Sequence, residues 1–216
     1  NMREDNLSGV WYVDGSNTGA QDGLSWGSAF TDIQSAVDAA HDGGGGEVWV
    51  VAGTYTATTN PVLTMREGVA IYGGFAGVET ARDERNWESN PTVIDGYGQS
   101  RCVEGANNAI LDGFTVRRGW AGREFGGSGG GMYNAHVSPR VANCRFEHNE
   151  AWGYDVYYEE WNYDYYYYYW GEGGAMLNES ASPTIENCVF IGNTTVDWGG
   201  AIRIVGGTVT LTGCTF

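Results

Sequence analysis

The sequence predicts an all-β solenoid, a parallel β-helix with one capping α-helix at its N-terminal end, and three observations lead there. First, one phrase occurs three times: GGGMYNAHVSPRVANCRFEHN at 129–149, GGAMLNESASPTIENCVFIGN at 173–193 and, shortened, GGAIRIVGGTVTLTGCTF at 199–216. Second, matched positions keep step. Cys144 to Cys188 is 44 residues and Cys188 to Cys214 is 26, and Phe146, Phe190 and Phe216 repeat both intervals, so the longer one is a period of 26 carrying an insertion of 18. Third, no copy contains ten residues free of Gly, Pro or β-branched interruptions, which favours short strands joined by turns over a helix in each repeat. Units of this length cannot bury an apolar face alone and must stack.

In chain order, residues 10–30 (VWYVDGSNTGAQDGLSWGSAF) read as a strand entering a loop. Residues 31–40 place Ile33, Ala36, Val37 and Ala40 on one helical face, after a Thr or Asp cap and before four glycines. This helix would cover the open end of the solenoid, and the division expected is residues 1–46 for strand and cap and 47–216 for the rungs. Rungs are expected to begin at Glu47, Val69, Pro91 and Ala109, with six or seven in all. The rung from Ala109 to Gly119 is looser: Phe114 stands where Cys144 stands and Val116 where Phe146 stands.

Cys144, Cys188 and Cys214 should form an internal ladder at the ~4.8 Å strand spacing, as buried thiols or as a bridge between neighbouring rungs. Asn149 and Asn193 end equivalent runs and should stack as an amide ladder. His136 and His148 have no histidine at the matching positions of the next copy (Ser180, Gly192) and read as turn residues. Asn6, Asn178 and Asn193 open N-x-[ST] sequons, which a buried ladder position could not use.

Composition narrows function. The chain has 27 acidic and 11 basic residues, net charge −16, and every basic residue is arginine. Such a surface repels nucleic acid and anionic membranes, and acidic polysaccharides unless a cation bridges. No stretch approaches the ~20 apolar residues of a membrane span. No cysteine or histidine spacing suggests a metal site.

The stretches WYVDGSNTGAQDGLSWGSAFTDIQSAVDAA, EVWVVAGTY, IYGGFAGVETARDERNW and NPTVIDG, with the repeated GGA…NC.F..N, resemble secreted bacterial right-handed parallel β-helix proteins of pectin-lyase-like fold. The repeats are similar to those of polymorphic outer-membrane proteins. The resemblance implies a right-handed stack and an extracellular or cell-surface setting. It implies no activity, because the fold hosts many. A lyase of this fold would need Lys or Arg beside calcium-binding carboxylates; there is no Lys, and Arg140, Arg145 and Arg203 have no acidic cluster recurring beside them. The NTD and GHG motifs that a polygalacturonase-like hydrolase would bring are absent.

The 18-residue insertion, expected at about 153–170, is the largest departure from the repeat. With Trp152 just before it, it presents Tyr154, Tyr157, Tyr158, Trp161, Tyr163, Tyr165, Tyr166, Tyr167, Tyr168, Tyr169 and Trp170, so nine of the fourteen tyrosines lie within sixteen residues. One rung earlier, Trp120 and Phe125 leave a turn that would flank it. Four readings stand: an irregular loop on its own rungs; a self-assembly or adhesion interface, since Tyr and Trp anchor interfaces; carbohydrate stacking, with acidic side chains binding hydroxyls; and a calcium site from Asp155, Glu159, Glu160 and Asp164, whose spacing is not that of an EF-hand. The last strand stops at Phe216 with no polar capping rung, an end that more chain or a partner copy would cover. The expectation is a non-enzymatic surface or filament-forming protein whose partner is another copy or a cell-surface polysaccharide, with no cofactor beyond a possible calcium ion.

Overall fold

The structure, a computed structural model, describes residues 9–122, 126–159 and 164–216, with the backbone alone for 155–159 and 164–167. Strand β1 (Val10–Val13) comes first, followed by α1 (Ile33–Asp42). The chain then coils so that each turn lays one strand on each of three parallel sheets. The first rung is β2 (Gly46–Val51), β3 (Gly53–Tyr55) and β4 (Leu63–Thr64); the second is β5 (Val69–Phe75), β6 (Thr92–Asp95) and β7 (Val103–Glu104). The third is β8 (Ile110–Asp112), β9 (Phe114–Arg117) and, after a short β10 (Trp120–Ala121), β11 (Met132–Ala135). The fourth is β12 (Arg140–Ala142), β13 (Arg145–Glu147) and β14 (Glu150–Ala151), then the hairpin β15 (Gly153–Glu159) and β16 (Asp164–Trp170), then β17 (Met176–Glu179). The fifth is β18 (Thr184–Glu186), β19 (Val189–Ile191), β20 (Thr194–Thr195) and β21 (Ile202–Val205), and β22 (Thr210–Thr212) begins a sixth.

Sheet 1 therefore runs β1-β2-β5-β8-β12-β18-β22, sheet 2 β3-β6-β9-β13-β19 and sheet 3 β4-β7-β11-β17-β21, with a narrow ladder β10-β14-β20 between sheets 2 and 3. One expectation is corrected here. Residues 91–96 do not begin a rung: β6 pairs with β3 and β9 as the second strand of the second rung. The excursion at 76–91 lies inside that rung, so the strand after it only looked like a new start; with the one that β22 begins, the described residues make six rungs.

The interior is three columns of apolar side chains. Val48, Ile71, Leu111, Val141 and Ile185 are in register on sheet 1. Ile94, Val116, Phe146 and Phe190 follow one another on sheet 2, and Leu63, Val103, Met132 and Met176 on sheet 3. All of these are buried. Phe146, Phe190 and Phe216 stack with centroids 5.1 and 5.0 Å apart and planes 9° and 8° from parallel, as the matched steps required. Helix α1 is capped by Asp32, whose Oδ1 accepts from the Ser35 amide at 2.8 Å, and its buried Ile33, Ala36, Val37 and Ala40 join the same core.

Corners are made by single residues with positive φ. Between sheets 1 and 2 these are Gly113, Asn143, Asn187 and Gly213, at 82, 51, 51 and 65°. Glycine and asparagine tolerate that conformation best, so the corner selects them. His136 and Ser180 form another such pair, and His148 and Gly192 a third, so both histidines are turn residues. Beside the first corner the cysteines lie on successive rungs as free thiols: Cys144 and Cys188 are buried, Cys214 is half-buried, and the Cys188 and Cys214 thiols point at Val141 and Ile185 carbonyls one rung back. Burial pushes the Cys144 thiol up. The asparagine ladder also forms. Asn149 Nδ2 donates to Asn193 Oδ1 at 2.9 Å and to the Val116 carbonyl at 3.0 Å, and Asn149 Oδ1 accepts from the Gly119 amide at 2.8 Å. In a second ladder Asn134 donates to Asn178 at 2.8 Å and Asn178 is fully buried, which closes that sequon to modification, and Asn6 lies outside the described residues.

Candidate functional site

The corner between sheets 2 and 3 gathers what the repeat does not explain. Its ladder pairs Trp120 with Glu150 and Ala121 with Ala151, and the next residue, Trp152, donates its amide to the Ala121 carbonyl at 2.9 Å. The two excursions therefore leave the stack at one corner, one rung apart. They meet again beyond it: Trp170 Nε1 donates to the Gly126 carbonyl at 3.1 Å, and Ser128, Glu172 and Trp198 form successive parallel bridges. The insertion is not irregular. Strands β15 and β16 form a two-stranded antiparallel sheet with seven register pairs from Gly153↔Trp170 to Glu159↔Asp164.

Trp152 stacks on Tyr169, centroids 6.0 Å apart and planes 17° from parallel. Both remain open to solvent, as do Tyr168 at 74% and Trp198 at 62% exposure. Trp120 and Trp170 are half-buried, and Tyr154 is exposed. Of the remaining expected positions, Phe125, Trp161, Tyr163 and Glu160 lie outside the described residues. For Tyr157, Tyr158, Tyr165, Tyr166, Tyr167, Asp155, Glu159 and Asp164 only the backbone is described. Among the described residues no group of three His, Cys, Asp or Glu is placed to hold a metal ion.

The outer face of sheet 3 supplies a polar floor, reached from the corner through Gly126, Ser128 and Glu172. Glu104, Tyr133, Leu177 and Arg203 are in register and alternate with the buried column. Arg101 is only 4% exposed; it donates to the Gly129 and Ser128 carbonyls at 3.1 and 2.9 Å and to Glu104 Oε1 at 2.8 Å, and lies 4.7 Å from the Tyr133 ring centroid. Burial lowers its guanidinium, and Glu104 opposes that. Tyr133 Oη donates to Glu179 Oε2 at 2.7 Å. Its phenol is pushed up to about 12, by burial first and then by that carboxylate, so it stays a neutral donor. Arg203 faces Glu172 at 3.5 Å and lies 5.7 Å from the Trp198 ring centroid. Together Arg101, Ser128, Tyr133, Glu172, Leu177 and Glu179 line a groove of about 440 Å³ that includes Gly126 from the first excursion. Two larger grooves, one at the Gly113 and Asn143 corner and one beside α1, have no buried charged residue in their lining.

Sequence reasoning missed this floor and Trp198. Arg101, Tyr133 and Glu179 are scattered over 78 positions and only the register on sheet 3 unites them. Trp198 had one signal, an unmatched Trp directly before a repeat's Gly pair. The three arginines considered as bases do not converge. Arg140 pairs with Glu186 on sheet 1, Arg145 with Glu147 on sheet 2 and Arg203 with Glu172 on sheet 3.

Residues 53–216 match the family described as the right-handed beta helix region. The chain belongs to this right-handed β-helix family. Two curated relatives, the mannuronan C5-epimerases AlgE3 and AlgE1 of Azotobacter vinelandii, are each 34% identical over 88 residues, 38% of this chain. The matched region is 5% and 6% of their respective lengths. A crystal structure of a candidate glycosyl hydrolase from Parabacteroides merdae covers 94% of this chain and 95% of its own at a TM-score of 0.46 and 13% identity. At that score the likeness carries no functional argument. No helix among the described residues is long and apolar enough to cross a membrane.

Proposed function

We propose that this β-helix is an extracellular polysaccharide-binding module that holds a glycan chain in the groove over sheet 3. One observation carries the reading: the exposed ring of Trp198, 5.7 Å from the Arg203 guanidinium that faces Glu172, stands beside a floor of hydrogen-bonding groups whose own positions are locked (Arg101, Tyr133, Glu179). Sugar rings have an apolar face for an aromatic and hydroxyls for carboxylates and a guanidinium. The names of the epimerase relatives, which refer to mannuronan, point to the same chemical class. Charge narrows it. Arg101 and Arg203 already face carboxylates, and the net charge is −16, so an uncharged glycan suits the groove better than a polyuronate.

The test is electrophoresis through gels containing neutral glucan, neutral mannan or polymannuronate, the last with and without calcium. Retardation is expected in a neutral-glycan gel, with Trp198→Ala weakening it roughly 10-fold or more, the scale of one lost anchor. Unchanged migration in every gel would end this reading. Retardation only by polymannuronate would retain the groove and overturn the charge argument.

A further inference from the structure

The hairpin has a property that glycan binding does not use. Its two strands form a sheet of their own, so each has one edge on which no other strand of the described chain lies. Natural proteins guard such edges with Lys, Pro, bulges or shortness. Strand β16 has none of these. It is seven residues long, its register with β15 has no slip, and after Asp164 it reads Tyr-Tyr-Tyr-Tyr-Tyr-Trp.

We propose that β16 is a dimerisation strand that pairs antiparallel, edge to edge, with β16 of a second copy of this chain. The occupant follows from self-complementarity. Two β16 strands centred on Tyr167 set Tyr165 against Tyr169 and Tyr166 against Tyr168, aromatic pairs of the kind that stabilise cross-strand contact, and place Asp164 against Trp170. No like charges meet. The same operation on β15, centred on its middle residue Val156, sets Asp155 against Tyr157 but leaves Asp155 of one copy diagonal to Asp155 and Glu159 of the other, like charges that the β16 pairing does not bring together within the strand. The charge pattern thus selects one edge, and a two-fold pairing through it closes at a dimer instead of growing a filament. With −16 on each copy, dimerisation should strengthen as salt rises.

Sedimentation equilibrium of the full chain, at rising concentration and at low and high salt, tests this. The expected result is a dimer that high salt favours, a monomer for Tyr167→Lys, which puts two cations at the two-fold centre, and a dimer for Val156→Lys. Val156 is directly across the ribbon from Tyr167 and shares its face, but lies on the other strand. Amide exchange should slow in β16 on dimerisation and not in β15. A monomer at every concentration, a dimer surviving Tyr167→Lys, loss of the dimer in Val156→Lys (which would mean face packing), or growth beyond two copies would each overturn the proposal.

Discussion

The interior columns and the outer corner are made by opposite rules. In the columns each side chain repeats the one before it: Phe146 lies between Val116 and Phe190 in register, and Phe190 between Phe146 and Phe216. Each ring gains its contacts from a copy of its own position, so the periodicity of the sequence and the packing are one fact. At the corner between sheets 2 and 3 nothing repeats. Ser128, Glu172 and Trp198 occupy successive rungs there with different sizes and charges, and the exposed Trp198 ring sits beside a partly buried ion-paired floor. The difference teaches where to look in a solenoid: repetition marks what holds the stack, and its interruption marks surface available for other work.

The largest expected effect comes from breaking the columns. Phe146→Ala removes a fully buried ring with a parallel neighbour at 5.1 Å, and the gap cannot be filled from either adjoining rung. Urea denaturation should show a loss of about 3–5 kcal/mol. Trp198→Ala, at 62% exposure, should cost below about 1 kcal/mol in the same assay. If the two variants lost equal stability, the division between holding and working residues would be wrong.

How much of this could be read beforehand follows the same line. The Cys and Phe steps located two columns and the Asn ladder because equal spacing in the sequence becomes vertical alignment in a stack. Helix α1 was legible from four apolar positions on one face. One rung start was misplaced where the repeat was interrupted, at residues 76–91. There Glu79 folds a turn by accepting the Ala76, Gly77 and Val78 amides at 2.7, 3.0 and 3.0 Å, and Arg85 inserts between the Tyr72 and Trp87 rings to reach Asp112 at 2.8 Å. The first is a local turn with no copy in other rungs and the second is a contact across rungs, and the repeat spacing encodes neither. The groove over sheet 3 was invisible for the same reason: Arg101, Tyr133 and Glu179 become neighbours only when three successive rungs are laid in register.

A middle-sized effect should come from Asp95, which belongs to both regimes. It ends a buried strand on sheet 2, yet its fully buried carboxylate is held by Arg117 at 2.8 Å and Arg118 at 2.6 Å from the following rung, and by the Tyr97 amide at 2.9 Å. Burial alone would raise its pKa, but Arg118, the Tyr97 amide and Arg117 outweigh that and the net shift is downward. A carboxyl with a depressed folded-state pKa contributes stability that is complete above the unfolded value of about 3.9 and fades as pH falls through the folded one. Stability should therefore decline below about pH 4, and Asp95→Asn should flatten that limb while costing about 1.5–3 kcal/mol at neutral pH. An acid limb unchanged in Asp95→Asn would assign it to other carboxylates.

A small expected effect from a large change sharpens the comparison most. Replacing residues 154–169 by a two-residue Asn-Gly turn joins Gly153 to Trp170, which already face each other as a register pair. The columns are untouched and the Trp170 contact to Gly126 is kept, so the stability lost in urea denaturation should stay near the worth of the Trp152 and Tyr169 stack, about 0.5–1.5 kcal/mol. Removing 16 residues at so small a cost is what a solenoid permits, because a rung touches only its neighbours and an insertion at its corner carries none of the stack. A loss as large as that of Phe146→Ala would show the hairpin to be a buttress of the fourth rung, and the aromatic run would then need no partner to account for it.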